Sequence, residues 1–416
     1  MTAPQTAAPQ LTASPAIRWA LACLSLSMLL SSLGTSIANV ALPTLAQAFA
    51  ASFQQVQWIV IAYLLAITCL TVAVGRLGDR TGRRRLLLAG IGLFTAASVV
   101  CGLAPALWLL IAARAAQGIG AAVMMALTMA FVGDTVPKAR TGAAMGLLGT
   151  MSAIGTALGP SLGGLLISGL GWRAIFFANV PLGVLAIFLA SRHLPVDQRS
   201  TGPAAPMIRL ASLRDPALGA GLAMSALVST VMMATLVVGP FYLARSIGLG
   251  AAGVGLVMSV GPVVTALTSV PAGRVADRFG VRRMTLLGLV AMTVGSLALS
   301  ALPTGLGIPG YVAPIVVLTI GYAVFQTSNN TAVMADVRPD QRGVISGTLT
   351  LSRNLGLITG ASVMGAVFTF ASASTDVATA DPAEVATGMH GTFAVATTLI
   401  AIAIGGWTLA RRAADR

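Results

Sequence analysis

The chain carries its apolar residues in long unbroken blocks. Residues 19–75 contain no Asp, Glu, Lys, Arg or His, and neither do 216–244, 246–273 or 284–335. A bilayer-spanning helix needs about 20 mostly apolar residues, and no water-soluble core requires runs of this length. Pro, Gly and charged residues divide the chain into apolar segments near 18–42, 56–75, 86–104, 107–132, 142–169 and 172–191. Six more follow near 217–243, 250–272, 284–302, 310–335, 343–372 and 387–410. The stretch between them, 192–216, is rich in Pro and charge and reads as a linker. The pattern predicts an all-α integral membrane fold of twelve transmembrane helices. It places an N-terminal six-helix bundle in 1–191, a cytoplasmic linker in 192–216 and a C-terminal six-helix bundle in 217–416.

Composition agrees. The chain is 56% hydrophobic and 9% charged, against about 25% charged for a soluble domain, so a lipid bilayer is its expected surroundings. The net charge of +14 raises nucleic acid as a partner, but the charges sit in short loops, not on a helix face with interleaved aromatics. With the first loop taken as external, 21 of the 25 Lys and Arg fall on the internal side. Arg173 and Arg245 fall outside, and Arg114 and Arg353 lie within spans. The excess of basic residues in cytoplasmic loops puts both termini in the cytoplasm of a bacterial inner membrane. The first apolar segment is long and lacks a basic leader, so it reads as a retained span. Cys23, Cys69 and Cys101 lie in apolar segments without metal or disulfide spacing.

One charged phrase occurs twice. "GRLGDRTGRRR" at 75–85 and "GRVADRFGVRR" at 273–283 share the frame G-R-x-x-D-R-x-G-x-R-R, 198 residues apart. Each follows the second span of its half, which marks a duplicated bundle. Gly75, Gly82, Gly273 and Gly280 would allow a tight turn. Asp79, Arg80 and Asp277 recur in register with the arginines, which topology anchoring alone does not require.

These motifs resemble the major facilitator superfamily over essentially the whole chain. "RAAQGIGAA" at 114–122 is similar to its fourth-span signature, with Arg114, Gln117 and Gly118 in place, and "GTALGPSLGG" at 155–164 to the fifth-span signature of antiporters and drug exporters. "NVALPTL", "QWIVIAYLLA", "WRAIFFANVPLG" and "RGVISGTLTLSRNLG" resemble the drug:proton antiporter branch. The resemblance implies alternating access between two bundles. It implies that Arg114 couples protonation to conformational change. It also implies that Asp79 holds the first half against the start of the eleventh span near Gly343. One departure stands out: relatives usually carry an Asp in the first span where this chain has Gly34. All eleven acids lie in loops or at span ends, so protons are a candidate co-substrate without an evident relay; only His390 lies near enough to the membrane to be considered.

Embedded polar residues supply the candidate site, because a charge in hydrocarbon is expensive. Arg114 lies about 10 Å deep at 1.5 Å per residue, as coupling element or structural clamp. Arg353 lies near the midplane, and a shift of 198 residues pairs it with Gly155. "QTSNNT" at 326–331 offers Gln326, Asn329 and Asn330, for substrate or for interhelical bonds. Gly34 and Asn39 are further cavity candidates. Gly155, Gly159 and Gly163 share one helix face and allow close packing; Pro160 can kink that span.

The leading reading is a secondary active transporter that exports small amphiphilic compounds. Two buried Arg and no buried acid favour neutral or anionic substrates. The alternatives are a facilitator or uptake carrier for a neutral or anionic metabolite and, remotely, a membrane sensor or scaffold. Nothing points to an enzyme, a metal or a cofactor: there is no His/Asp/Glu/Cys cluster and no Gly-x-Ser-x-Gly elbow, and "GIGAAV" lacks the third glycine of a dinucleotide site. A monomer is expected.

Overall fold

A computed structural model describes residues 15–136, 141–195, 216–335, 337, 342–373 and 380–414. Among the described residues, twelve helices are long and apolar enough to cross a membrane. They are α1 (Pro15–Ala48), α2 (Phe53–Thr81), α3 (Arg83–Leu103), α4 (Leu107–Thr135), α5 (Thr141–Leu170) and α6 (Ala174–His193). The second six are α7 (Leu218–Ser246), α8 (Ala251–Phe279), α9 (Val281–Ala301), α10 (Gly307–Ala335), α11 (Ile345–Ala371) and α12 (Pro382–Ala414). The protein is an all-helical, multi-pass membrane protein. Most of the 192–216 linker, residues 196–215, lies outside the described residues.

Both copies of the charged phrase make the same corner, but not where the pattern alone puts it. α2 continues through Gly75 to Thr81, and α8 through Gly273 to Phe279. One residue each, Gly82 (φ 95, ψ 126) and Gly280 (φ 88, ψ 134), turns the chain into α3 and α9. That positive φ is open to glycine and strained for other residues. Gly75 and Gly273 are helical, so only the second glycine of each copy forms the turn.

Small residues let the helices touch backbone to backbone, as packing in lipid demands. A Cβ on Gly120 would lie 2.6 Å from the Gly90 carbonyl and 2.7 Å from Phe94 N; one on Gly321 would lie 2.7 Å from both the Gly288 carbonyl and Met292 N. Thus α4 sits on α3 as α10 sits on α9, yet the shift has grown. Gly90 and Gly288 are 198 apart, whereas Gly120 and Gly321 are 201 apart. The second half has three extra residues before α10, where the 3₁₀ turn Thr304–Leu306 lies. The same shift holds for the next helix. Gly155 abuts the Leu29 carbonyl and Ser32 Cβ of α1, as Gly356 abuts the Ala226 carbonyl and Ser229 Cβ of α7. The structural partner of Gly155 is therefore Gly356, and Arg353 pairs with Ser152.

The two bundles meet at the end opposite the termini. There α5 lies on α8: a Cβ on Gly164 would be 2.4 Å from the Ala251 carbonyl, and one on Gly255 would be 2.3 Å from the Pro160 carbonyl. On the other flank α2 meets α11, with the Gln57 amide pressed on Gly365. Phe53 stands edge-on between Phe241 and Phe368, with ring centroids 4.8 and 5.1 Å away. Gly146 lies on the same face of α5 as Gly164, five turns away, and a Cβ there would meet nothing within 4 Å. The bundles are thus in close contact at the far end, while the face of α5 around Gly146, toward the termini, is open.

Candidate functional site

Two embedded arginines have opposite environments. Arg114 is fully buried inside the first bundle. Its Nε donates to the Ile59 carbonyl of α2 at 3.1 Å, and Nη1 donates to Gln117 Oε1 at 2.5 Å. Gln117 Nε2 then donates to Ser98 Oγ of α3 at 2.7 Å, and Ser98 to the Phe94 carbonyl. The guanidinium carbon lies 4.1 Å from the centre of the Tyr63 ring, whose hydroxyl donates to the Ser31 carbonyl of α1 at 2.8 Å. Nη2 has no partner among the described residues. A desolvated cation–π contact stabilises by about 2 kcal/mol or more. Ring, carbonyl and amide together hold the charge without a carboxylate and tie four helices, α1 to α4, to one point. The site is a clamp away from the central space.

Gly34 belongs to this cluster. A Cβ there would stand 3.1 Å from both the Tyr63 hydroxyl and the Phe94 ring. The position therefore points into the bundle, not into the space between bundles, and the tyrosine hydroxyl occupies the ground next to it. Asn39 is also buried, with Nδ2 donating to the Thr35 carbonyl at 3.3 Å and Oδ1 unpartnered.

Arg353 is only half-buried. Leu357, one turn on, is also half-buried, and beyond it α11 makes a π turn over Gly360–Met364. Ala361 and Met364 are fully buried in the apolar core that joins the bundles. Leu355, on the opposite side of α11, is exposed, so Arg353 lies on the side of the helix turned away from it. Its neighbour Ser352 donates to the Leu222 carbonyl of α7, and Asn329 Nδ2 of α10 donates to the adjacent Gly221 carbonyl at 3.1 Å. Asn329 is therefore committed to helix packing. Gln326, one turn away, is half-buried with Oε1 unpartnered, and Asn330 is exposed. The two bonds to adjacent carbonyls of α7 put Arg353, next to Ser352, and Gln326, one turn from Asn329, at a similar level of the second bundle.

The glycine row divides its work between neighbours. Gly155, Gly159 and Gly163 pack on α1 within the first bundle, supported by Ser36 Oγ donating to the Gly155 carbonyl at 3.2 Å. Pro160 and Gly164 face the other way, onto α8 of the second bundle. Pro160 lies within a helix that continues to Leu170. Asp277 is exposed at the end of α8. Asp79 and Arg80 are on the last turn of α2, but their side chains lie outside what the structure describes, as do the surroundings of Gly343. Sequence reasoning missed Tyr63, Gln57, the Gly164–Gly255 contact and the Phe53 cluster. Their signal was there, in aromatic, amide and glycine residues of apolar runs, but such residues are common in any span.

Comparison with known proteins agrees with this architecture. Residues 24–361 match the family model described as Major Facilitator Superfamily. Riboflavin transporter RibZ of Clostridioides difficile is 28% identical over 393 residues, covering 82% of this chain and 86% of that protein. Multidrug efflux pump LfrA of Mycolicibacterium smegmatis is 29% identical over 417 residues, covering 87% and 83%. Multidrug resistance protein Stp of Mycobacterium tuberculosis is 29% identical, covering 80% and 72%. Among solved structures, a bacterial homologue of the human lysosomal transporter Spinster, inward-facing and occupied, superposes with a TM-score of 0.81 at 17% identity, covering 96% of this chain and 98% of that one. With twelve spans in two packed bundles and a family match over most of its length, the chain belongs to the Major Facilitator Superfamily and is a membrane transporter of small molecules, not an enzyme.

Proposed function

We propose that the protein exports small amphiphilic compounds, neutral or anionic, by alternating access across a bacterial inner membrane. The observation that carries this reading is the central space itself. It is closed at the far end by Gly164–Gly255, Gln57–Gly365 and the Phe53 cluster, and this reading puts the half-buried Arg353 in its wall. A space open on the face of the termini is loaded from that side. This reading puts that side in the cytoplasm, where the basic loops lie, with loading from within and release outside. Likeness to proteins named for multidrug resistance and efflux supports the direction. Likeness to a protein named a riboflavin transporter supports the alternative of a metabolite carrier. The domain limits proposed are 1–191 and 217–416, joined by a cytoplasmic linker, in a monomer.

Two measurements test this. A reporter fused after Leu194 should behave as cytoplasmic and one fused after Ser374 as external; the reverse would overturn the orientation. Everted vesicles should accumulate labelled neutral or anionic amphiphiles, assayed with and without a proton gradient. Uptake by right-side-out vesicles instead would establish the carrier alternative. The charge preference rests on Arg353 alone, since Arg114 is sealed in its bundle. Strong gradient-driven ethidium efflux by the wild type would refute that preference.

A further inference from the structure

The repeat gives an internal control for the wall that holds Arg353. In the first half, Ser152 of α5 and Ser32 of α1 share a hydrogen bond of 2.6 Å between hydroxyls. The packing of Gly155 and Gly356 makes Ser229 the counterpart of Ser32, and Arg353 the counterpart of Ser152. The hydroxyl pair of the first half has thus become a Ser–Arg pair in the second. Ser229 is 1% exposed, and its Oγ has no partner. Ser225, one turn along α7, is buried with an unpartnered Oγ as well, and Gln326 Oε1 is unpartnered on the facing helix. Buried polar atoms normally have partners. Here Ser229 lies against Gly356, three residues from Arg353 on α11, and Asn329 and Ser352 bond to adjacent carbonyls of α7, which sets Gln326 and Arg353 at a similar level.

We infer that Arg353, Ser229 and Gln326 form a subsite for the carboxylate of a monoanionic amphiphile. This rests on the reading of Arg353 as cavity-facing in a transporter. A planar guanidinium matches a carboxylate with two parallel N–H bonds. The Ser229 hydroxyl donates a third bond, and Gln326 Oε1 accepts from an N–H or O–H beside the acid. A single positive charge balances a single negative one. A dianionic phosphate would leave one charge unbalanced in a low-dielectric wall, so the subsite favours monoanions over dianions. The other deep guanidinium, Arg114, is sealed by its own ring and amide and adds no charge to the wall.

The test uses purified full-length protein and three probes on one scaffold: 1-naphthylacetate, 1-naphthylacetamide and 1-naphthylmethylphosphonate. Binding is measured by calorimetry in detergent. The wild type should bind the acid more tightly than the amide or the phosphonate. Arg353→Gln should weaken the acid by about 10- to 100-fold, the range for a charged hydrogen bond, and leave the amide unchanged. Arg353→Lys should recover part of the loss. Ser229→Ala should weaken the acid alone, by about threefold or more. An acid-to-amide ratio unmoved by Arg353→Gln, a preference for the phosphonate, or no binding of the acid overturns the site. Should Arg353→Gln fail to fold, Arg353→Lys and Ser229→Ala decide it, and a ratio unmoved in both overturns it. Binding in detergent is blind to direction, so export can fail with this site intact, and the site can fail with export intact.

Discussion

Gly255→Val should abolish transport while leaving a folded, extractable protein. Its Cβ would fall 2.3 Å from the Pro160 carbonyl and 3.0 Å from Gly164 Cα. Both are backbone neighbours, so no rotamer change relieves the clash. The cost of forcing added methyls into a packed contact is about 1–3 kcal/mol, and here it falls on one state only. When the far ends part, α8 no longer touches α5 there and the valine faces open space. A penalty of that size on one of two states shifts their ratio by roughly 5- to 150-fold. The transporter should then rest with its far end open and its cycle stalled. Met364→Cys in a cysteine-free background reports the state, because Met364 is fully buried beneath the seal. It should resist an impermeant maleimide added from the far side, and label readily once Gly255→Val is added. Normal transport with an unlabelled Met364→Cys would show that the Gly164–Gly255 contact does not hold the seal.

Arg114→Leu should lower both folded yield and transport severely, and Arg114→Lys should restore little of either. Leucine removes the donors to the Ile59 carbonyl and to Gln117 Oε1. Each acceptor stranded in a bundle interior costs about 1–3 kcal/mol, and the contact with the Tyr63 ring is lost too. Lysine keeps the charge but not the planar fork that serves a carbonyl, an amide and a ring face together. Fluorescence-detected size exclusion would follow folding, and vesicle assays transport. A lysine variant with wild-type transport would mean that the charge alone matters, and that the clamp described above is incidental.

Much of this protein was legible before any tertiary contact was known. Block length fixed twelve spans, because hydrocarbon excludes charge over a set thickness. The repeated phrase marked the duplication, and its second glycine made the turn that only a residue without Cβ adopts freely. Arg114 and Arg353 were conspicuous because embedded charge is costly. Their difference was not legible, since hydropathy records depth and not neighbours. Tyr63, Ile59 and Gln117 come from two helices to close around Arg114, whereas Arg353 has no such company on α11. Register failed for a similar reason. Matching the charged phrases gave a shift of 198 and the pair Arg353–Gly155. Three residues added before α10 changed the shift to 201, and it was exposed only by the packing of Gly120 on Gly90, matched by Gly321 on Gly288, and of Gly155 on α1, matched by Gly356 on α7. The row Gly155, Gly159 and Gly163 announced close contact from its spacing alone. That the row lies on α1, while Pro160 and Gly164 beside it meet the other bundle, was decided by which helices the fold brings to each face.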